Sequence, residues 1–209
     1  MSFYSASNYE AGTLRLRSPN LYQAKHGAYI GLCDRQKQRT FLVLGTTAEP
    51  VTAPLGIKRF ADADDMTKGY SMLSVALNDD TLKDFIAQVD QDILNQLADN
   101  SNAIFHEQYS PSELKKMKYY TPAFYTDNKN GLAPLLGAKL SDDCMVLDVD
   151  MAPTNEEVLP GAQICCVLSV PSLCFKSPNN CRLTVRCEKI KLVTNGQDTT
   201  NAVKDFMFN

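Results

Sequence analysis

Apolar and polar residues alternate with period two at several places along the chain, and at one place they recur with helical spacing. Leu14-Arg15-Leu16-Arg17 reads as a short strand. Two more strands are expected over 28–34 and 40–44. The polar link Arg35-Gln36-Lys37-Gln38-Arg39 joins them as a hairpin with a basic tip. Pro50 to Pro54 reads as a connection, 55–60 carries Lys58-Arg59 beside Gly56, and 69–77 is a further strand. From Tyr119 the chain turns extended and aromatic, and 144–149 is a strand. A long hairpin is expected from 163–175 and 182–192, turning through Ser177-Pro178-Asn179-Asn180. In its second strand the apolar positions Leu183, Val185 and Cys187 give way to Ile190 and Leu192. That one-residue slip at Glu188-Lys189 is the mark of a β-bulge, and bulges bend strands as small closed barrels require.

Over 80–99, Leu82, Phe85, Ile86, Val89, Ile93 and Leu97 fall on one face at three- and four-residue steps, which predicts a helix. Thr81 with Asp84 fits a capping box, and Asp79 and Asp80 suit the positive end of its dipole. A second, short helix starts with Ser110 as N-cap, Pro111 at the first helical position and Glu113 closing the box, and ends near Met117. About seven to nine short strands surround these helices, with no alternation of strand and helix. The expected fold is therefore mainly β: an OB-like Greek-key β-barrel with one well-formed inserted α-helix and a second short helix. The domain plan is an N-terminal arm over 1–11, one OB-like domain over 12–194 with its helical insertion at about 79–118, and a flexible tail over 195–209.

The 209 residues are 44% apolar and 22% charged, enough for a packed core. No apolar stretch approaches the roughly 20 residues that span a bilayer, so no membrane association is expected. Met1-Ser2-Phe3-Tyr4-Ser5 lacks the basic and apolar regions of a signal peptide. Seven cysteines then point to an intracellular, reducing setting and free thiols, Cys174 and Cys181 at the hairpin turn included. The net charge of −3 argues against a wholly basic nucleic-acid binder. That total conceals a segregation, however. Residues 1–60, 111–140 and 161–209 carry +5, +3 and +3, while 61–110 and 141–160 carry −8 and −6. Three basic blocks can converge on a polyanion while the acidic ones face away, or all five can be ordinary solvated surface.

Catalytic and metal motifs are missing. The chain has no phosphate-binding glycine loop, nucleophile elbow, zinc-protease motif or Cys-x-x-Cys, and only two histidines, His26 and His106. Asp148 and Asp150 share a face if extended and could hold Mg²⁺, but they read better as an acidic strand end. Asp62-Ala63-Asp64-Asp65 lacks calcium-loop spacing. No enzyme activity, cofactor or metal is expected. The suggestive segment is Lys115-Lys116-Met117-Lys118-Tyr119-Tyr120 with Phe124, Tyr125 and Lys129, because single strands are bound by stacking bases on aromatic rings in a basic groove. The same residues also fit a packed core beside a solvated helix end. Trp is absent, so nine Tyr and nine Phe must supply any stacking. The candidate nucleic-acid contacts are Arg35, Lys37, Arg39, Lys58, Arg59, Lys115, Lys116, Lys118, Tyr119, Tyr120, Tyr125, Arg182 and Arg186.

The order of features resembles the OB-fold single-stranded-DNA-binding proteins of large nucleocytoplasmic DNA viruses, thought to be related to a phage replication protein. The likeness is carried by Ala53-Pro54-Leu55-Gly56-Ile57, Tyr70-Ser71-Met72-Leu73-Ser74-Val75-Ala76-Leu77, the 85–92 helix, the 102–105 and 110–120 stretches, Lys139-Leu140 and the 161–192 hairpin, together spanning roughly 12–193. It implies sequence-tolerant binding of single-stranded DNA in viral replication or recombination. It also implies a C-terminal tail, with Asp205, Phe206 and Phe208, that meets replication partners or occludes the groove, and a location at viral replication sites in host cytoplasm or nucleus or in the virion. A homodimer is compatible with it. The tail departs from the family's dense acidic run, since only Asp198 and Asp205 precede Phe206 and Phe208. The alternative is a virion-associated structural or interaction β-barrel without nucleic-acid binding.

Overall fold

The computed structural model describes residues 1–24, 27–61, 69–125, 134–177 and 179–196. In chain order the strands are β1 (Ser2–Tyr4), β2 (Arg15–Leu16), β3 (Tyr22–Ala24), β4 (Gly27–Cys33), β5 (Thr40–Leu44), β6 (Val51–Ala53), β7 (Ile57–Ala61) and β8 (Gly69–Ala76). Helices α1 (Asp80–Asp99), α2 (Ser101–Phe105) and α3 (Pro111–Lys116) follow. The chain continues with β9 (Tyr120–Thr121), β10 (Phe124–Tyr125), β11 (Leu135–Leu147), β12 (Ala162–Ser177) and β13 (Asn180–Thr194). The fold is mainly β with the long helix inserted, as the periodicity predicts. Contacts divide it into two compact units: Met1–Phe41 with Asp84–Ala123 and Val170–Thr184, and Leu42–Lys83 with Phe124–Ser169 and Val185–Asn209.

In the first unit β4 pairs antiparallel with β2, β3 and the Ser172–Phe175 part of β12, while β9 runs parallel to the start of β13. The predicted apolar face of α1 is buried at Phe85, Ile86, Val89, Ile93 and Leu97. The same helix also buries two carboxylates that periodicity does not foresee. Asp92, 2% exposed, accepts from Gly12 N at 2.6 Å, the Tyr9 hydroxyl at 2.7 Å and Leu14 N at 3.2 Å. One turn on, Gln96 Oε1 accepts from Leu16 N at 3.3 Å. Leu14 and Leu16 alternate at period two, so the segment that follows the Gly12 turn (φ 77°) docks on the helix through side-chain acceptors. On its other flank Asp90 accepts from the Tyr120 hydroxyl and from Ala123 N at 3.0 Å. Tight side-chain acceptors of this kind satisfy buried amides that no neighbouring strand reaches.

The second unit holds a four-strand path, β13–β11–β8–β7. Here β11 is parallel to β13, and β8 is antiparallel to both β11 and β7. The burial rhythm of β13 slips where predicted, from Cys187 to Ile190 and Leu192. The register with β11 jumps there from Leu140↔Cys187 to Met145↔Lys189, so the extra residues of this irregularity lie in β11 and not in β13. Gly56, at φ 58°, lets the chain enter β7 where a Cβ would meet the Val158 carbonyl oxygen at 2.4 Å.

Three local expectations are corrected, and one further helix is found. The 50–54 connection contains β6, made by pairing with Ala162–Ile164, a tertiary partner the flanking prolines conceal. The 144–149 strand is the end of the longer β11, which stops at Leu147. Asp148 and Asp150 lie in the following turn, where Asp148 Oδ1 accepts from Asp150 N and Ala152 N, both at 2.9 Å. The α1 cap is Asp79, whose Oδ1 accepts from Thr81 N at 2.8 Å, so Thr81 lies inside the first turn. Helix α2, between the two predicted helices, is not among the expected elements; there the buried Ser101 hydroxyl donates to Ala98 O at 2.8 Å and accepts from Tyr109 N at 2.9 Å. The short helix α3 has the predicted capping box of Ser110 and Glu113, with Met117 as C-cap.

Replacing Asp92 with Ala strands three donors, two of them on buried residues. Each such group costs about 1–3 kcal/mol, so Asp92→Ala is expected to lower stability by about 3 kcal/mol or more in urea unfolding. A loss below about 1 kcal/mol would contradict the anchoring role. Asp90 gives a pH signature. Burial pushes its carboxyl up to about 6, against the pull of the Tyr120 and Ala123 hydrogen bonds and the Lys115 charge. Because the folded state holds this proton more tightly than the unfolded chain, stability falls as pH rises from about 4 through 6. Asp90→Asn should remove that slope from the stability–pH curve; an unchanged curve refutes the assignment.

Candidate nucleic-acid interface

In a pleated sheet, residues directly opposite one another share a face. In the second unit the pairings Lys58↔Met72, Met72↔Lys139 and Lys139↔Arg186 therefore set four residues in one row across β7, β8, β11 and β13. Lys58, Lys139 and Arg186 are exposed. At strand spacing of about 4.8 Å the row is about 14 Å long. Two residues along, on the same face, Phe60 pairs with Tyr70. Each ring is 41% exposed, and the two lie nearly parallel, centroids 5.3 Å apart and 17° between planes. Lys139 Nζ stands 5.4 Å from the Tyr70 centroid. The opposite face is core: Leu73, Val75, Leu136, Ala138, Val185 and Cys187 are buried. Gly69 brings β8 close to β7 beside the ring pair, where a Cβ would lie 2.7 Å from Phe60 O.

Each of the three basic sequence blocks gives this row one cation: Lys58, Lys139 and Arg186. Sequence reasoning had selected Lys58 and Arg186 but passed over Phe60, Tyr70 and Lys139. Strand register is the signal that joins them, and it is invisible without the pairing. Arg59 is exposed but, as the sequence neighbour of Lys58, points to the other side of β7.

The first unit carries the remaining predicted contacts except Tyr125, which belongs to the second, and the structure sorts them. The hairpin tip is built around buried Asp34. Its Oδ1 accepts from Gln36 N at 2.8 Å and Gln38 N at 2.7 Å, and its Oδ2 accepts from the hydroxyls of Ser2 and, at 3.3 Å, Tyr4. Burial raises this carboxyl, but those hydrogen bonds outweigh it and hold it below its ordinary value. Lys37 is exposed at φ 61°. Arg39 lies 5.0 Å over the Phe41 ring. Arg35 is committed to the fold, donating to Gly12 O at 3.0 Å and to Ala11 O, and pairing with Glu10 at 3.3 Å. Lys115 and Lys116 are exposed on the last turn of α3, where they also complement the helix dipole. Lys118 is exposed at φ 58°, its carbonyl accepting from Asn180 Nδ2 at 3.2 Å. Arg182 is exposed on β13 opposite Thr121.

The two tyrosines expected to stack bases in this unit are engaged within the protein. Tyr120 is 4% exposed and its hydroxyl donates to Asp90, so it offers no ring face to a base. Tyr119 is half-buried in a cluster with Tyr109 (5.4 Å, 82°) and Phe105 (5.4 Å, 47°), and Phe105 in turn meets Phe175. Burial of apolar ring area outweighs leaving it wet, and period alone cannot assign these rings to surface or core. The backbone of Tyr125 pairs with Leu135 in β10 and β11. Its side chain, and the tail residues Asp205, Phe206 and Phe208, lie outside the described residues. All seven cysteines are free. Among the described residues no cluster suits a metal ion and no helix is long and apolar enough to cross a membrane.

No protein-family model matches the chain, and no curated protein matches it. Solved structures do. The single-stranded-DNA-binding protein from bacteriophage Enc34, solved in complex with ssDNA, is 11% identical with a TM-score of 0.46 over 86% of this chain and 96% of that one. A further structure of the single-stranded-DNA-binding protein from bacteriophage Enc34 is 11% identical with a TM-score of 0.44 over 87% of this chain and 94% of that one. The single-stranded-DNA-binding protein gp2.5 encoded by bacteriophage T7 is 10% identical with a TM-score of 0.47 over 77% of this chain and 95% of that one.

Because Tyr120 works through Asp90, Tyr120→Phe should cost about 1–2 kcal/mol of stability by removing a buried charge-assisted hydrogen bond. Oligonucleotide affinity should stay at the wild-type level. A large affinity loss in a folded variant would return Tyr120 to the interface.

Proposed function

We propose that the chain is a non-catalytic single-stranded-DNA-binding protein whose interface is the outer face of β7, β8, β11 and β13. One observation carries this: three exposed cations and two exposed, parallel aromatic rings share one sheet face over a buried apolar one. An exposed Phe and Tyr side by side on a strand pair present ring faces that paired bases, already stacked in a duplex, cannot use, whereas unpaired bases can. Each stacked base is worth about 1–3 kcal/mol, and each neutralised phosphate contributes about 0.7 to the salt slope for single strands. The row holds three cations in a chain of net charge −3, and charges farther from it than a Debye length of about 8 Å are largely screened. This surface, rather than the distant phage likenesses, supports the reading. The role assigned is covering single strands exposed in viral DNA replication or recombination, with the 195–209 tail as the segment that meets replication partners.

Fluorescence anisotropy with oligo-dT over a salt series tests it. Wild type should bind at low salt, and its log affinity should fall linearly with log salt. Lys58→Ala, Lys139→Ala and Arg186→Ala combined should make the slope shallower by about 2. No binding at low salt, or a triple variant with the wild-type slope, would sink the proposal and leave the exposed rings as a protein-contact surface.

A further inference from the structure

The two rings of the candidate interface are not equivalent. Tyr70 lies on β8, between β7 on one side and β11 on the other. Phe60 therefore approaches it from the β7 side, parallel at 5.3 Å. Lys139 approaches from the β11 side, Nζ 5.4 Å from the ring centroid. Tyr70 thus has a ring neighbour from β7 and a cation from β11. Phe60 has Tyr70 as its ring neighbour and lies on β7, which ends the strand order of this sheet. The two rings are equally exposed by area, but among the described residues Tyr70 is flanked on both sides and Phe60 on one.

The geometry points to a division of roles: Phe60 is the residue on which an unpaired base stacks, and Tyr70 is a positioning residue that holds the Phe60 ring parallel and Lys139 over the sheet for a phosphate. This assignment rests on the single-strand reading above. A base on the outer face of Phe60 extends the parallel series to base, Phe60, Tyr70 and ammonium. The ammonium is drawn to the negative ring face, which places its charge inside the footprint rather than free on a flexible stem. Met72 fills the position between Lys58 and Lys139 in the row, an apolar spacer beneath the chain of phosphates. The Tyr70 hydroxyl has no part in this arrangement; its ring does.

The absence of Trp from the whole chain makes the test direct, since one introduced Trp is the sole indole reporter. Phe60→Trp should bind oligo-dT and lose much of its fluorescence on binding, as a stacked indole does. Tyr70→Trp should bind with little change. Phe60→Leu should weaken binding about 5- to 150-fold with the salt slope unchanged, the loss of one stacked base. Tyr70→Phe should match wild type. Tyr70→Leu should weaken binding and make the slope shallower by about 0.7, because Lys139 is released; a merely structural role for Tyr70 would leave that slope alone. Quenching in Tyr70→Trp but not in Phe60→Trp, or wild-type affinity in Phe60→Leu, overturns the assignment while single-strand binding stands. If wild type itself fails to bind oligo-dT at low salt, both are overturned.

Discussion

In a pleated sheet a slip of one residue between neighbouring strands exchanges every inward side chain for an outward one. The register that runs from Lys58 through Met72 and Lys139 to Arg186 is therefore a single condition with two consequences. It buries Leu73, Val75, Leu136, Ala138, Val185 and Cys187, and it turns three cations and two rings to solvent. The buried side enforces the register: moving those side chains to water would cost about 1.5–3 kcal/mol for each large one. The proposed interface is thus held in place by the core on its other face. Tight backbone approaches at Gly56 and Gly69 fix how β7 enters and meets β8.

The first unit is held by a different device. Short segments that have few strand partners, 9–16 and 120–123, dock on α1 through Asp92, Gln96 and Asp90. Burying carboxylates is costly, and the cost shows at Asp90, whose raised pKa reflects desolvation that its hydrogen bonds only partly offset. The return is geometric: one helix specifies where two irregular stretches go. The same bonds remove Tyr120 from the surface, so the segment that looks most like a nucleic-acid motif is in good part a docking device.

Charge in this chain acts by location. The net −3 is the remainder of a segregated sequence, and the sheet selects one cation from each basic block into one row. Three residues of the acidic blocks take other work: α1 uses its Asp90 and Asp92 as buried acceptors, and Asp148 closes the turn after β11. An acidic protein can present a basic face when pairing between distant strands, rather than sequence proximity, brings the cations together.

How much of this was legible beforehand follows the range of the forces involved. Helix α1 and the capped α3 were readable because their periodicity and caps are local, and so was the slip in the two-residue rhythm of β13, although the extra residues of the irregularity lie in its partner β11. β6, the full length of β11 and the fold of 101–105 were not, because each depends on a partner or buried hydroxyl distant in sequence. The same division separates the site residues. Lys58 and Arg186 could be selected as basic residues on strands, but Phe60, Tyr70 and Lys139 become a site only once three strands are aligned. Tyr119 and Tyr120 show the converse: adjacent to lysines in sequence, they are drawn inward by an aromatic cluster and by Asp90. Sequence by itself determined the mainly β composition, the inserted helix and the segregation of charge. The tertiary structure decided which rings face water and which cations stand together, because both depend on strand register, and register is set by the summed burial of side chains from segments far apart in the chain.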